Sequence, residues 1–147
     1  MFFKWQSREI RFKIVYYGPA LSGKTTNLKQ IYSRVDPSRR SEMVSLQTHE
    51  DRTLYFDFMQ LELGKICGLT PILQLYTVPG QAYYEVSRKL VLKWTDGVVF
   101  VADSSPDKMA ENRAAWNEMF AFLTDLGLSV EETAVAVQFN KRDLPNA

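Results

Sequence analysis

The stretch Gly18-Pro19-Ala20-Leu21-Ser22-Gly23-Lys24-Thr25 fills every fixed position of the phosphate-loop template G-x-x-x-x-G-K-[ST]. Its flanks supply the context that template requires. Residues 10–17, with Ile10, Phe12, Ile14, Val15, Tyr16 and Tyr17, read as a buried strand, and residues 26–34 as a helix. A loop bent this sharply turns its backbone N–H groups inward. Together with the positive end of the following helix dipole, they form a concave anion site. Lys24 is then placed to reach the β- and γ-phosphates of a nucleotide as a mobile point charge, and the Thr25 hydroxyl to ligate a bridging Mg²⁺.

Outward from this loop, apolar strand-like runs recur at 10–17, 54–63, 72–78, 97–102 and 133–139, with helical segments between several of them. That is an α/β pattern. Val98-Val99-Phe100-Val101-Ala102 and Ala134-Val135-Ala136-Val137 are apolar on both faces, as expected of central strands in a parallel sheet covered on each side. The pair 54–63 and 72–78, joined by the short stretch 64–70, reads instead as an antiparallel hairpin at one edge. The expectation is a P-loop NTPase three-layer fold, mostly parallel, with one antiparallel edge strand. A further helix is expected over 108–126, its aromatic stripe facing the core.

The 147 residues, 46% hydrophobic, suffice for one core and predict a single domain. Eighteen basic and 17 acidic residues nearly cancel, so no nucleic acid is implied as a bulk partner. The single cysteine, Cys67, fits a reducing compartment and reads as a small buried or half-buried side chain. The N-terminus is broken by charges, no run reaches membrane-span length, and the chain reads as cytoplasmic without stable membrane insertion. Phe2, Phe3 and Trp5 are expected to pack as a strand extension against the domain.

Asn140-Lys141-Arg142-Asp143 follows the last strand-like run, at the carboxyl edge where open α/β sheets bind ligands, and matches N-K-x-D. One Asp carboxylate accepts from both guanine N1–H and the exocyclic amine, a donor pair adenine does not offer, so Asp143 would select GTP over ATP. The Lys141 stem can lie across the base, and Asn140 can tie this loop to the phosphate loop.

With both motifs in place, the chain resembles the Ras-like small GTPases, and within them the bacterial MglA family of polarity and gliding-motility switches. The resemblance rests on the stretches 12–19, Glu50-Asp51-Arg52-Thr53-Leu54, Leu75-Tyr76-Thr77-Val78-Pro79-Gly80-Gln81 and 140–145. It implies nucleotide-binding residues Gly18, Leu21, Ser22, Gly23, Lys24, Thr25 and Thr26 in the loop, Gly80 beside the γ-phosphate, and Asn140, Lys141 and Asp143 at the base. It further implies that Thr25 and the first-switch Thr53 hold Mg²⁺. Gln81 would orient the attacking water, Arg52 would be an arginine finger from the same chain, and Lys24 would complete the catalytic set as the charge on the β- and γ-phosphates. His49 reads as a surface histidine.

Most small GTPases carry D-x-x-G at the end of the third strand, where the Asp holds Mg²⁺ through water. Here the same place reads Thr77-Val78-Pro79-Gly80. The hold on Mg²⁺ must therefore be looser or come from elsewhere. Asp57, on the neighbouring strand, is the available substitute, although a solvated or paired strand carboxylate is its more ordinary reading. Ras-like domains also continue beyond the position of Asp143 into a further guanine-contacting loop, a last strand and a final helix. Relative to that pattern the single G domain 1–147 is expected to be C-terminally incomplete. The implied function is a GTP/GDP switch with slow intrinsic hydrolysis, stimulated by a roadblock-type, MglB-like activator and read by effector proteins. The alternatives are a nucleotide-binding scaffold without useful hydrolysis and a P-loop kinase or ATPase.

Overall fold

The apolar run ahead of the Gly18 loop is a strand in the computed structural model, which describes residues 1–47, 55–80, 85–129, 131 and 133–147. The elements follow as β1 (Phe2–Lys4), β2 (Glu9–Tyr17), α1 (Lys24–Arg34), β3 (Val44–Gln47), β4 (Tyr55–Glu62), β5 (Thr70–Thr77), α2 (Glu85–Leu92), β6 (Gly97–Asp103), α3 (Met109–Asp125) and β7 (Ala134–Asn140). The strands form one sheet in the order β3-β4-β5-β2-β6-β7, with β1 pairing β2 off this path. Strands β5, β2, β6 and β7 run parallel. Strand β4 is antiparallel to β5, and β3 to β4.

Period-two alternation along the central strands sends side chains to two separate cores. Val15 and Tyr17 of β2 join Val98, Phe100 and Ala102 of β6 on one face, closed by Val91 and Leu92 of α2 and Met119, Phe122 and Leu123 of α3. Tyr16, Leu75 and Val101 point the other way, against Leu28 of α1 and Met59 of β4. Helices therefore cover both faces, giving the expected three layers.

Three expectations need correction. The sheet carries antiparallel pairings at β1 and β3 besides that of β4. Strand β3 escaped notice because four residues, Val44-Ser45-Leu46-Gln47, are too few for a periodic signal. Strand β7 has the composition of a central strand but pairs only with β6 among the described residues, leaving Val137 and Phe139 46% and 65% exposed. Cys67 is exposed, not buried. It sits in the turn between β4 and β5, where Ile66 and Leu69 exchange backbone hydrogen bonds and Cys67 has a left-handed φ of 50°. The N-terminal extension does pair with β2, yet Phe2 and Trp5 remain exposed, the latter's ring tilted at 47° against that of Phe3 with centroids 4.1 Å apart.

Candidate functional site

Because β2, β5, β6 and β7 are parallel, the segments that follow them leave the sheet on one side. The Gly18 loop, Pro79–Gly80, Ser104 and the 140–143 stretch are thereby gathered at the carboxyl ends of the strands, where open α/β sheets bind ligands.

The loop between β2 and α1 is closed by its own lysine. Lys24 is 6% exposed and its ammonium donates to the carbonyl oxygens of Gly18 at 2.9 Å and Pro19 at 2.6 Å. Burial, and then the positive charge of Arg88, bring its pKa down to about 8. An anion in the loop would offset both effects. Gly23 caps α1 with φ of 100°, and a Cβ there would lie 2.3 Å from Nδ2 of Asn140, so the loop accepts only glycine at this point. Gly80 is likewise required, since a Cβ would stand 2.7 Å from the Ala20 Cα. The segment after β5 thus lies directly against the phosphate loop. Ser22 is fully buried, with its hydroxyl unpartnered among the described residues.

A cleft of about 430 Å³ opens beside the loop, lined by Lys24, Thr25, Ser45, Asp57, Thr77 and Gly80 among others. Three hydroxyls converge on Asp57. The Thr25 hydroxyl donates to Asp57 Oδ2 at 2.5 Å and the Thr77 hydroxyl to the same oxygen at 3.0 Å, while the Ser45 hydroxyl donates to Oδ1 at 2.6 Å.

At the opposite end, Asn140 Nδ2 donates to the Ser22 carbonyl at 2.7 Å, joining the two motifs across 118 positions of sequence. Lys141, at a left-handed φ of 64°, extends its ammonium to Asp103 Oδ2 at 2.6 Å. Asp103 ends β6 and is 3% exposed. Burial raises its carboxyl, but the bonds from Lys141 and Ser105 more than reverse this and hold it at about 2. Lys141 is thus clamped by a buried charge, with Asp143 exposed just beyond it.

No protein-family model matches the chain. It is 49% identical over 146 residues to the mutual gliding-motility protein MglA of Myxococcus xanthus (strain DK1622), an alignment covering 99% of this chain and 75% of that protein. The chain belongs to the MglA family. It is accordingly a Ras-like, GTP-binding small GTPase with a phosphate loop, and its mostly parallel α/β sheet is the fold such a member requires.

Within that family frame, the expected nucleotide residues from Gly18 to Thr26, Gly80, Asn140 and Lys141 converge on one side of the sheet, with Asp143 at its rim. Arg52, Thr53, Gln81 and His49 lie outside the described residues. Four groups near the site escaped the sequence reading. Ser45 needed strand β3 to be recognised. Asp103 had a usable signal, a carboxylate ending an apolar central strand. Arg88 and Glu118 had none: Arg88, 7% exposed, bonds both Glu118 oxygens at 2.9 and 2.6 Å, and the Tyr17 hydroxyl donates to the same carboxylate at 2.5 Å. These contacts lock α2 to α3 and to the strand that precedes the phosphate loop, and burial first, with the Glu118 charge, pushes the Tyr17 hydroxyl pKa well up.

Proposed function

We propose that the chain is a guanine-nucleotide switch acting in cell polarity or motility, slow in GTP hydrolysis alone and stimulated by a roadblock-type, MglB-like activator. The observation that supports this reading is the Asn140–Ser22 bond of 2.7 Å, which ties the Asn140-Lys141-Arg142-Asp143 stretch to the Gly18 loop. The motility role is drawn from the printed name of the Myxococcus relative.

Lys24 and the amides of Leu21 to Thr26 bind the phosphates, and Asp143 reads the base. The donors available for Mg²⁺ are hard oxygens, the hydroxyl of Thr25 with the carboxylate of Asp57 nearby. A Mg²⁺ bound with a nucleotide takes most of its ligands from phosphate and water, so one or two protein oxygens suffice. Thr25 and the first-switch Thr53 would hold it, and when bound it neutralises charge between the phosphates. Gln81 orients the attacking water, and Arg52 completes charge stabilisation when the activator brings the first switch inward, worth on the order of 10³–10⁵ in rate.

Output is binding of an effector to residues 39–52 and 79–86, which would differ between the GTP and GDP states. Residues 1–147 act as a single G domain in the cytoplasm, without nucleic acid and without stable membrane insertion. The near-neutral composition supports the first point, and no described helix is long and apolar enough to cross a membrane.

The rival, a scaffold that binds nucleotide without useful hydrolysis, is favoured by Thr77 standing where a carboxylate is usual. Single-turnover GTP hydrolysis with and without a roadblock-type activator separates the two. The switch reading expects stimulated turnover that Arg52→Ala and Gln81→Leu each abolish. Unchanged rates in those variants would refute the assigned roles, and no turnover in the parent chain would favour the scaffold.

A further inference from the structure

We propose that Asp57 is the carboxylate that positions the nucleotide's Mg²⁺, supplied from the middle of the β3-β4-β5 ribbon instead of from the end of β5. The inference rests on the reading of Thr25 as a Mg²⁺ ligand and adds a residue to it.

The two flanking strands fix where the carboxylate points. Asp57 pairs with Ser45 in the β3–β4 ladder, and lies one step beyond the Phe58–Tyr76 pair of β4 and β5. Ser45 binds one carboxylate oxygen at 2.6 Å and Thr77 the other at 3.0 Å, while the Asp57 backbone N–H donates to the Thr77 hydroxyl at 2.9 Å. Thr77, 2% exposed, therefore both donates to and accepts from the same residue. The oxygen held by Thr77 is the one that accepts the Thr25 proton at 2.5 Å. A hydroxyl that gives its proton to a carboxylate keeps its lone pairs for a cation and is made a better donor to it.

Charge points the same way. Among the described residues Asp57 has hydroxyl and backbone partners but no ammonium or guanidinium at ion-pair distance. A half-buried carboxylate whose partners among the described residues are all neutral donors, at the wall of the cleft beside the Gly18 loop, is complementary to a divalent cation lying between it and the phosphates. The Thr at position 77 also becomes intelligible. With Asp57 already occupying the space beside Thr25, a second carboxylate at 77 would stand within hydrogen-bond distance of the first and repel it. Asp57 and Thr77 therefore form a reciprocal pair, one carboxylate and one hydroxyl, whose places on the two strands are exchangeable in principle.

The test follows release of fluorescently labelled GDP as free Mg²⁺ is titrated against a chelator, with Mn²⁺ binding to the GDP complex read by electron paramagnetic resonance. In the parent chain chelation should accelerate release. Asp57→Asn should raise the Mg²⁺ concentration needed to slow release by about 10–100-fold, the usual loss for an outer-sphere partner, and weaken Mn²⁺ to match. Its release rate in chelator should differ from the parent's by far less than its Mg²⁺ dependence does, because no cation is then present to be held. Thr77→Asp should weaken the cation as well, whereas the exchange Asp57→Thr with Thr77→Asp should recover most of the Mg²⁺ dependence. That exchange also tests the proposal should Asp57→Asn fail to fold. Parent-like Mg²⁺ dependence in Asp57→Asn, or an exchange variant that folds and binds GDP but stays indifferent to Mg²⁺, overturns the assignment. A parent chain that binds no GDP at any Mg²⁺ concentration would instead overturn the nucleotide reading beneath it.

Discussion

Raising the pH should loosen the grip on the nucleotide through Lys24. Burial, with a smaller contribution from the Arg88 charge, lowers this ammonium from 10.5 to about 8, a penalty of about 3 kcal/mol for holding the proton with only carbonyl partners. Phosphate oxygens beside Nζ would restore the charged form and carry the bound-state pKa far above the working range. The free protein must then take up a proton whenever it binds nucleotide above neutrality. With a free-state pKa of about 8, Lys24 is ~3% neutral at pH 6.5 and ~75% neutral at pH 8.5, so GDP should bind about 4-fold more weakly at the higher pH, or about 0.8 kcal/mol. Calorimetry at pH 8 in two buffers of different ionisation heat should report uptake of ~0.5 proton per GDP. The stability of the nucleotide-free protein should move oppositely. Its folded-state pKa lies below the unfolded one, so the unfolded chain holds the extra proton between about pH 8 and 10.5. The group's cost is undiminished below that window and fades as the pH rises through it. An affinity flat from pH 6.5 to 8.5, with heats independent of buffer, would refute the reasoning that Lys24 waits partly discharged for an anion.

Gly23→Ala should force a left-handed alanine and drive its Cβ into the Asn140 amide, costing about 1–2 kcal/mol in backbone strain and weakening GDP binding beyond that through loss of the Asn140–Ser22 tie; equilibrium unfolding and GDP titration together check both parts. Lys141→Met keeps the apolar stem but strips the buried Asp103 of its cation, and because Lys141 is itself one-third exposed the expected loss is about 1–2 kcal/mol, or ~3–6 °C in Tm at pH 7. Since Asp103 is held at about 2, that deficit should persist from neutrality down to about pH 4 and disappear as the pH falls through the folded value, a profile that denaturation at a series of pH values would reveal. Glu118→Gln removes the charge that both Arg88 and Tyr17 bind, and should cost about 1–3 kcal/mol by thermal denaturation, with GDP affinity changed less than stability.

What could be read from the chain and what could not divides by sequence separation. The phosphate loop and the 140–143 stretch are legible because each keeps its functional atoms within a few covalent bonds of a glycine or strand end that dictates local geometry. The five apolar runs correspond to β2, β4, β5, β6 and β7, and β6, buried along nearly its whole length, has the continuous apolar signature of a strand covered on both faces. The partnerships of isolated charges left no such trace. Asp57 meets Thr25 across 32 positions and Asp103 meets Lys141 across 38, and both contacts depend on strand register, which a change of one residue would reverse. Arg88 and Glu118, 30 apart, meet only because α2 and α3 pack together. The composition of β7 misled for a related reason: apolarity on both faces reports the wish to be covered, and says nothing of which element does the covering.

A phosphate loop and an Asp143-bearing loop, tied together by Asn140, should hold guanine nucleotides and exclude adenine ones. Competition of unlabelled GDP and ADP against fluorescently labelled GDP tests it most directly. GDP should displace the label at least about 100-fold more effectively than ADP, because a site built to accept two guanine donors leaves its carboxylate unpaired on adenine. Asp143→Asn should erase that preference while leaving the phosphate contacts in place. Equal displacement by ADP and GDP, or a preference that survives Asp143→Asn, would contradict the account.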